Sequence, residues 1–125
     1  MNGHLIENEK QIFLSSEKVR LGFVIPEASD FFDGHFPVFK ILPAVAQTWI
    51  AVNFADKYFG TGKTVLKIKR MKFVSPVLPD ANVELELVFN REKETVTFTF
   101  YDSEDSQKTY SAGSFTVSRK AASNE

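Results

Sequence analysis

Residues 44–59 form the one long segment of this sequence that favours a helix, and strand-like segments lie on both sides of it. Pro43 precedes the segment and Gly60 follows it, and these residue types are typical of the first turn and of the end of a helix. Apolar residues lie nearly all round the helical wheel, which predicts a buried helix. A chain with a single buried helix must build the rest of its core from a sheet.

The flanking segments carry the pattern of strands. Residues 19–25 alternate between core-type and more polar positions with a period of two, which indicates a half-buried strand. A short strand is expected at residues 12–14, and further strands at residues 64–73, 82–89, 95–101 and 109–118. Two strands, one helix and four strands predict an α+β fold in which an antiparallel sheet wraps round the helix. We expect one domain over residues 1–125, with its core at about 10–118 and mobile tails that include residues 1–9.

Composition excludes several classes of function. The chain has 125 residues, no cysteine and a formal net charge of −1. It therefore offers no disulfide, no thiolate metal site and no global attraction to nucleic acid or anionic membranes. No stretch resembles a signal peptide or reaches the roughly 20 apolar residues of a membrane span. We expect a cytoplasmic protein with no nucleic-acid or membrane partner, no metal and no cofactor.

Residues 31–37, with the sequence FFDGHFP, place His35 in an aromatic, proline-stiffened loop shortly before the helix. A helix N-terminus presents unpaired N–H groups and the positive end of the helix dipole. A carbonyl oxygen that gains negative charge is stabilised there, and a histidine can move a proton near neutral pH. This combination suits proton abstraction next to a carbonyl. The alternative is that His35 only satisfies a hydrogen bond within its loop.

The same residues resemble a known family. FFDGHFP at residues 31–37 is similar to the FFxGHFP signature of bacterial 3-hydroxyacyl-ACP dehydratases, and KFVSPVLP at residues 72–79 is similar to their second signature. The two segments flank the helix as they do in that family, and the resemblance covers about residues 10–118. Val45, Ala46 and Gln47, followed by Trp49, look most like the branch used in aryl-polyene-type pathways.

The resemblance implies a hot-dog fold, at least a homodimer, and an acyl tunnel at the subunit interface. It implies that His35 is the base that removes the C2 proton, and that the backbone N–H groups of Ala44 and Val45 polarise the thioester carbonyl. The substrate would be an acyl-ACP or acyl-CoA thioester, with an acyl carrier protein as partner. The residues expected to contact the substrate are Phe32, Phe36, Pro37 and Gln47.

One departure from the family pattern bears on the chemistry. The family places a Glu or Asp fourteen residues after the histidine as the acid that protonates the leaving hydroxyl, and that position is Trp49 here. An indole is not a practical acid, and loss of general acid catalysis costs about 10²- to 10⁴-fold in rate. A heterodimer with a paralogue can supply a carboxylate opposite His35. Equally, Trp49 can fill the cavity of a binding subunit that has no activity.

A smaller departure lies at the loop and the helix start, where Val38, Lys40 and Ala44 replace the Gly, Pro and Gly of the family pattern. Ala44 keeps its backbone N–H, so the oxyanion donor is retained if the backbone geometry is.

Three hypotheses follow for the function. The first is a lyase that dehydrates 3-hydroxyacyl thioesters to trans-2-enoyl thioesters. The second is a non-catalytic subunit that binds acyl chains or the carrier protein, and the third is a hot-dog thioesterase. Basic residues at positions 67, 69, 70 and 72 either steer an acidic carrier protein or form an ordinary solvated strand face.

Overall fold

A computed structural model describes residues 6–27, 29, 42–105 and 107–117. These residues form six strands and one helix. In chain order the elements are β1 (Glu7–Leu14), β2 (Lys18–Val24), α1 (Ala44–Phe59), β3 (Val65–Phe73), β4 (Asn82–Asn90), β5 (Thr95–Asp102) and β6 (Thr109–Val117).

The six described strands make one antiparallel sheet in the order β1-β2-β4-β5-β6-β3. Strand β2 pairs with β4 without interruption, from Lys18 opposite Val88 to Val24 opposite Asn82. Strand β3 follows the helix and pairs with β6, so β1 and β3 are the two edges of the sheet as the structure describes it. The predicted element order of two strands, one helix and four strands is confirmed.

Helix α1 packs one face on this sheet. Phe54 stacks on Phe23 of β2 with ring centroids 5.4 Å apart, and Phe59 packs on Phe89 of β4 at 5.5 Å. Ile50 on the same face of the helix is fully buried. A single long helix against one antiparallel sheet is the α+β hot-dog architecture that the sequence predicted, and the structure confirms it.

The helix boundaries follow from local chemistry. Pro43 is the N-cap residue, with an extended backbone at φ −64° and ψ 155°. Gly60 ends the helix in the left-handed region at φ 67°, a conformation that glycine adopts without a steric penalty. Its N–H donates to the Asp56 carbonyl at 2.8 Å, and the Asp56 carboxylate accepts from the Gly62 N–H at 2.8 Å. The predicted span of residues 44–59 is therefore confirmed.

Burial of the helix all the way round was a wrong prediction. Val45 is 75% exposed and Trp49 is 44% exposed, while Ile50 is completely buried. The physical reason is that one sheet covers one face of a helix. The described residues leave the opposite apolar face of α1 exposed.

The N-terminal boundary was also predicted wrongly, because residues 7–9 lie in β1 rather than in a tail. They are ordered by contacts far along the chain: Glu7 is paired with Val24, and the Glu9 carboxylate accepts hydrogen bonds from Lys57 and Tyr58. The expectations for residues 1–5, 31–41 and 119–125 lie outside the described residues.

A buried polar link ties the start of the helix to the sheet. Gln47 is 3% exposed, and its side-chain amide donates to the Leu42 carbonyl at 3.0 Å. The Ser111 hydroxyl on β6, which is fully buried, donates to the Gln47 side-chain carbonyl. The Leu42 N–H in turn donates to the Val77 carbonyl at 2.8 Å. The link therefore fixes the residues on both sides of Pro43 against the sheet.

Strand β3 carries an irregularity where it meets β6. The register shifts between Lys69 and Lys72, and Arg70 takes a positive φ of 57°. This is the geometry of a β-bulge, which bends a strand locally. Met71 then lies over Gly113 of β6, where a side chain would collide with its Sδ atom.

We predict that Gly113→Ala lowers the free energy of unfolding by about 1–3 kcal/mol, the usual cost of overpacking. The added Cβ would lie 3.1 Å from two Phe98 ring atoms and closer still to Met71 Sδ. Gly22→Ala is the matched control, because the nearest heavy atom to its added Cβ is 3.6 Å away. Urea denaturation of both variants measures the difference. Equal stabilities would contradict the close approach at Gly113.

We also predict that Gln47→Leu lowers the free energy of unfolding by about 1–3 kcal/mol, since it leaves the Leu42 carbonyl and the Ser111 hydroxyl without their partner. Ser111→Ala removes the hydroxyl group that Gln47→Leu leaves unpaired. The double variant should therefore lose less stability than the sum of the losses in the two single variants. We expect a coupling of about 0.5 kcal/mol or more in a double-mutant cycle. Strict additivity would show that the two side chains do not act together.

Candidate active site

A groove runs between the exposed face of α1 and the edge strand β3, with a volume of about 460 Å³. That size lies within the range of about 300–1,000 Å³ that is typical of small-molecule sites. The groove is mainly apolar, and its lining residues are Ala44, Val45, Thr48, Trp49, Val52, Lys63, Val65, Ile68, Met71 and Phe73. Such a lining suits a hydrocarbon chain better than a polar ligand.

Helical periodicity explains the wall that α1 contributes. Val45, Thr48, Trp49 and Val52 are spaced at i, i+3, i+4 and i+7, so they share one face of the helix. This face points away from the residues that α1 buries against the sheet. The other wall comes from β3, which stands beside the helix at the edge of the sheet.

The N-terminus of the helix lies at one end of the groove, where Ala44 and Val45 belong to the lining. Backbone N–H groups in the first helical turn have no acceptor within the helix. Pro43 offers no side-chain cap, and the first turn contains no acidic residue that would offset the positive end of the dipole. An oxygen atom that gains negative charge is stabilised in such a place. The oxyanion role of Ala44 and Val45 remains a prediction that this geometry suits.

Trp49 lines the groove one turn further along the helix. Its backbone carbonyl accepts from the Asn53 side chain at 2.8 Å, and Thr48 donates its hydroxyl back to the Ala44 carbonyl at 3.1 Å. Within the part of the chain that the structure describes, the lining contains no Asp or Glu, and Lys63 is its one charged residue. The position at which the resembling family carries its acid thus faces the groove without a carboxyl group.

The remaining predicted site residues fall into two groups. Gln47 lies on the opposite side of the helix from the groove, buried and bonded to Leu42 and Ser111. Its contact with substrate remains a prediction, and the described contacts give it a supporting place beneath the helix start. The residues expected from the FFDGHFP segment lie outside the described residues: Phe32, His35, Phe36 and Pro37.

Sequence reasoning did not identify the β3 wall of the groove. Ile68, Met71 and Phe73 were assigned to a strand but not to a site. A usable signal was present, because apolar residues interrupt a run of lysines on a strand that follows the helix. Ser111 was also missed, although it is a small polar residue at a fully buried strand position.

The strongly shifted titratable groups belong to other surfaces of the molecule. Burial raises the pKa of Tyr101 to about 12, with Glu86 nearby adding to the effect. Burial together with its hydrogen bond to Asp102 raises the pKa of Tyr110 to about 12 as well. Neither tyrosine lines the groove, so we assign both to structural roles.

Two negative findings concern the described residues alone. No group of three or more His, Asp or Glu side chains is arranged there to hold a metal ion. No described helix has the length and apolar character needed to cross a membrane.

The solved structures that are similar to this chain include two that share about a quarter of its residues. One is from the dehydratase heterocomplex ApeI:P of Xenorhabdus doucetiae, with 25% identity and a TM-score of 0.78 over 89% of this chain and 96% of that one. The other is an uncharacterized protein from Erwinia carotovora subsp. atroseptica, with 26% identity and a TM-score of 0.74 over 91% and 92% of the two chains.

A more distant likeness concerns the fold alone. Thioesterase superfamily member 2 from Mus musculus is 8% identical, with a TM-score of 0.65 over 86% of this chain and 78% of that one. A sequence comparison with curated proteins finds no significant match.

The family comparison covers both the helix and the groove. The model of the ApeI-like family, described as ApeI dehydratase, matches residues 9–114, a range that includes the FFDGHFP segment, α1 and β3. Since the match extends over most of the chain, the protein belongs to the ApeI-like dehydratase family.

Proposed function

We propose that this protein dehydrates 3-hydroxyacyl thioesters, carried on an acyl carrier protein, to trans-2-enoyl thioesters. The observation that carries the proposal is the apolar groove that ends at the N-terminus of α1, where Pro43 provides no side-chain cap. One end of the groove suits an acyl chain and the other suits a thioester oxygen that gains charge. Membership of the ApeI-like dehydratase family supports the same reaction.

The reaction divides among the residues as follows. The thioester carbonyl accepts hydrogen bonds from the first-turn N–H groups of Ala44 and Val45, which makes the C2 proton more acidic. His35 removes that proton, and the electron pair forms the C2–C3 double bond. The C3–O bond breaks, and the hydroxyl group takes up a proton and leaves as water. The acyl chain lies along the groove beside Val52 and Ile68.

The proton for the leaving hydroxyl needs a donor that the described lining lacks. Trp49 occupies the position of the family's acid, and its indole N–H does not ionise in the useful range. We propose that a second hot-dog chain places a carboxylic acid opposite His35. The structural relative from Xenorhabdus doucetiae, itself part of a dehydratase heterocomplex, supports a heteromeric arrangement. The open face of α1, with Val45 75% exposed, provides a surface for such a chain.

A non-catalytic acyl-binding subunit is the second candidate. The observation that favours it is Trp49, which faces the groove at the position of the missing acid. A folded protein that binds the acyl chain but gives no turnover in any variant below would favour this role. A hot-dog thioesterase is the weaker third candidate, and release of free thiol from an acyl thioester would distinguish it.

We predict that His35→Ala lowers the rate of hydration of a short trans-2-enoyl-ACP by about 10²-fold or more, because the group that removes the C2 proton in dehydration and returns it in hydration is lost. The measurement is absorbance of the enoyl thioester with purified protein, followed as the double bond is hydrated. His4→Ala is the matched control, since it removes the other histidine of the sequence. An unchanged rate in the folded His35→Ala protein would remove His35 from the mechanism.

We predict that Trp49→Glu raises the hydration rate of the isolated chain by about 10²-fold, since it installs a carboxyl group where the family carries one, and in hydration that carboxylate takes a proton from the attacking water. Trp49→Gln is the control, because glutamine has the same size as glutamate and opens the groove equally, but its amide can neither take up nor donate the proton. A pH profile of the Trp49→Glu protein should gain a limb from the new carboxyl group. Equal rates for the two variants would show that the missing acid does not limit the chain.

A further inference from the structure

A basic edge is the most unusual surface of this molecule outside the groove. Strand β3 carries Lys67, Lys69, Arg70 and Lys72, and all four residues are exposed. The sequence contains no Asp or Glu anywhere between residues 57 and 79. The strand therefore has no acidic neighbour in sequence to balance its charge.

The same strand has an open hydrogen-bonding edge. Among the described strands β3 pairs with β6 on one side, and its other side offers the backbone groups of an unpaired edge. Such edges are templates for pairing with another chain, and lysines on them oppose indiscriminate pairing.

Apart from its basic residues, this edge is apolar. Leu66 is 64% exposed and Ile68 is 50% exposed on β3 itself, and Val74 just beyond it is 66% exposed. Val45 of α1 adds a further exposed apolar side chain across the groove. Apolar residues grouped in this way mark an interaction surface rather than a solvated one.

The charge of the edge disfavours a second copy of this chain as its partner. Two antiparallel β3 strands related by a twofold axis would place opposing side chains about 5 Å apart, and like charges opposite each other are destabilising. In a register centred on Lys69, that residue faces its own copy. Because basic residues occupy positions 67, 69, 70 and 72, neighbouring registers also bring basic side chains together. The separations are shorter than the Debye length of about 8 Å at physiological ionic strength, so salt screens them only in part.

We propose that the β3 edge and the adjoining apolar residues pair with a different hot-dog chain whose own edge strand is acidic, and that they reject a second copy. Opposite charges along the two strands would fix the register and steer association, while the apolar residues would be buried. The inference rests on the proposed function, because it describes the surface of the partner chain that would supply the missing acid. It attributes the preference for a different partner to the basic residues of this chain's own β3 edge.

The test uses a charge-reversed copy of this chain, Lys67→Glu with Lys69→Glu, as a probe with an acidic edge. Native mass spectrometry or sedimentation equilibrium of an equimolar, isotope-labelled mixture measures homotypic and heterotypic dimers. At 0.05 M NaCl we expect the mixed dimer to be on the order of tenfold tighter than the wild-type homodimer. The preference should shrink to about twofold at 0.5 M NaCl, where the Debye length is only about 4 Å.

The matched control is a copy with Lys93→Glu and Lys108→Glu, which changes the net charge equally but at exposed positions outside β3. It should show no preference for the wild-type chain. A neutralised copy, Lys67→Gln with Lys69→Gln, should self-associate more tightly than wild type, and it keeps the test open if the reversed copy does not fold.

Three outcomes would overturn the proposal. A tight wild-type homodimer that is insensitive to salt would show that the basic edge does not oppose self-pairing. Equal pairing by the Lys93→Glu/Lys108→Glu copy would show a general charge effect. A mixture that stays monomeric would leave the edge as a surface for an acidic carrier protein. None of these measurements depends on turnover, so failure of the pairing and failure of the dehydratase proposal are distinguishable.

Discussion

One-sided burial of helix α1 is the constraint on which the rest of this structure depends. The helix is apolar on both sides, but the sheet takes up only the face that carries Ile50, Phe54 and Phe59. The second apolar face, with Val45 and Trp49, is left beside the edge strand β3. The groove is therefore a direct product of the fold. It arises because a hot-dog chain has one helix with two apolar faces and one sheet to cover them.

Placement of the helix start depends on the core rather than on the loop before it. Gln47 and Ser111 bury a pair of polar groups between α1 and β6, and Gln47 also holds the Leu42 carbonyl. Buried polar groups of this kind are costly unless each has a partner, so the arrangement has little freedom to shift. The first turn of α1, with Ala44 and Val45 at the end of the groove, is thereby held in place. A rigid support beneath a helix terminus can preorganise the donors of its first turn.

Local sequence signals predicted much of the fold, whereas features that depend on tertiary contacts could not be predicted from the sequence. Pro43 and Gly60 act within one turn of the helix ends, so the span of α1 was predicted correctly. The start of β1 was missed because Glu7 and Glu9 are ordered by partners more than ten residues away. The exposed face of α1 was missed because apolar residues lie nearly all round the helix. Such a pattern does not show which face the sheet will cover. Likewise Ile68 and Phe73 had the signature of a strand, and only the neighbouring helix makes them a groove wall. The predictions for residues 31–37 remain predictions.

Two independent features of this chain bear on whether it can form a complete active site by itself. Trp49 stands where the family pattern in the sequence predicts an acid, and it lies on the helix wall of the groove. The basic run makes a symmetric strand pairing unfavourable, and it lies on β3, the strand whose apolar residues form the opposite wall. A symmetric dimer would lack the acid in both of its active sites, and its two basic β3 edges would repel each other. An asymmetric dimer with an acid-bearing, acidic-edged chain removes both at once. The missing acid in the groove and the basic charge of β3 therefore have one explanation if a second chain completes the active site. This chain would then contribute the base and the oxyanion donors.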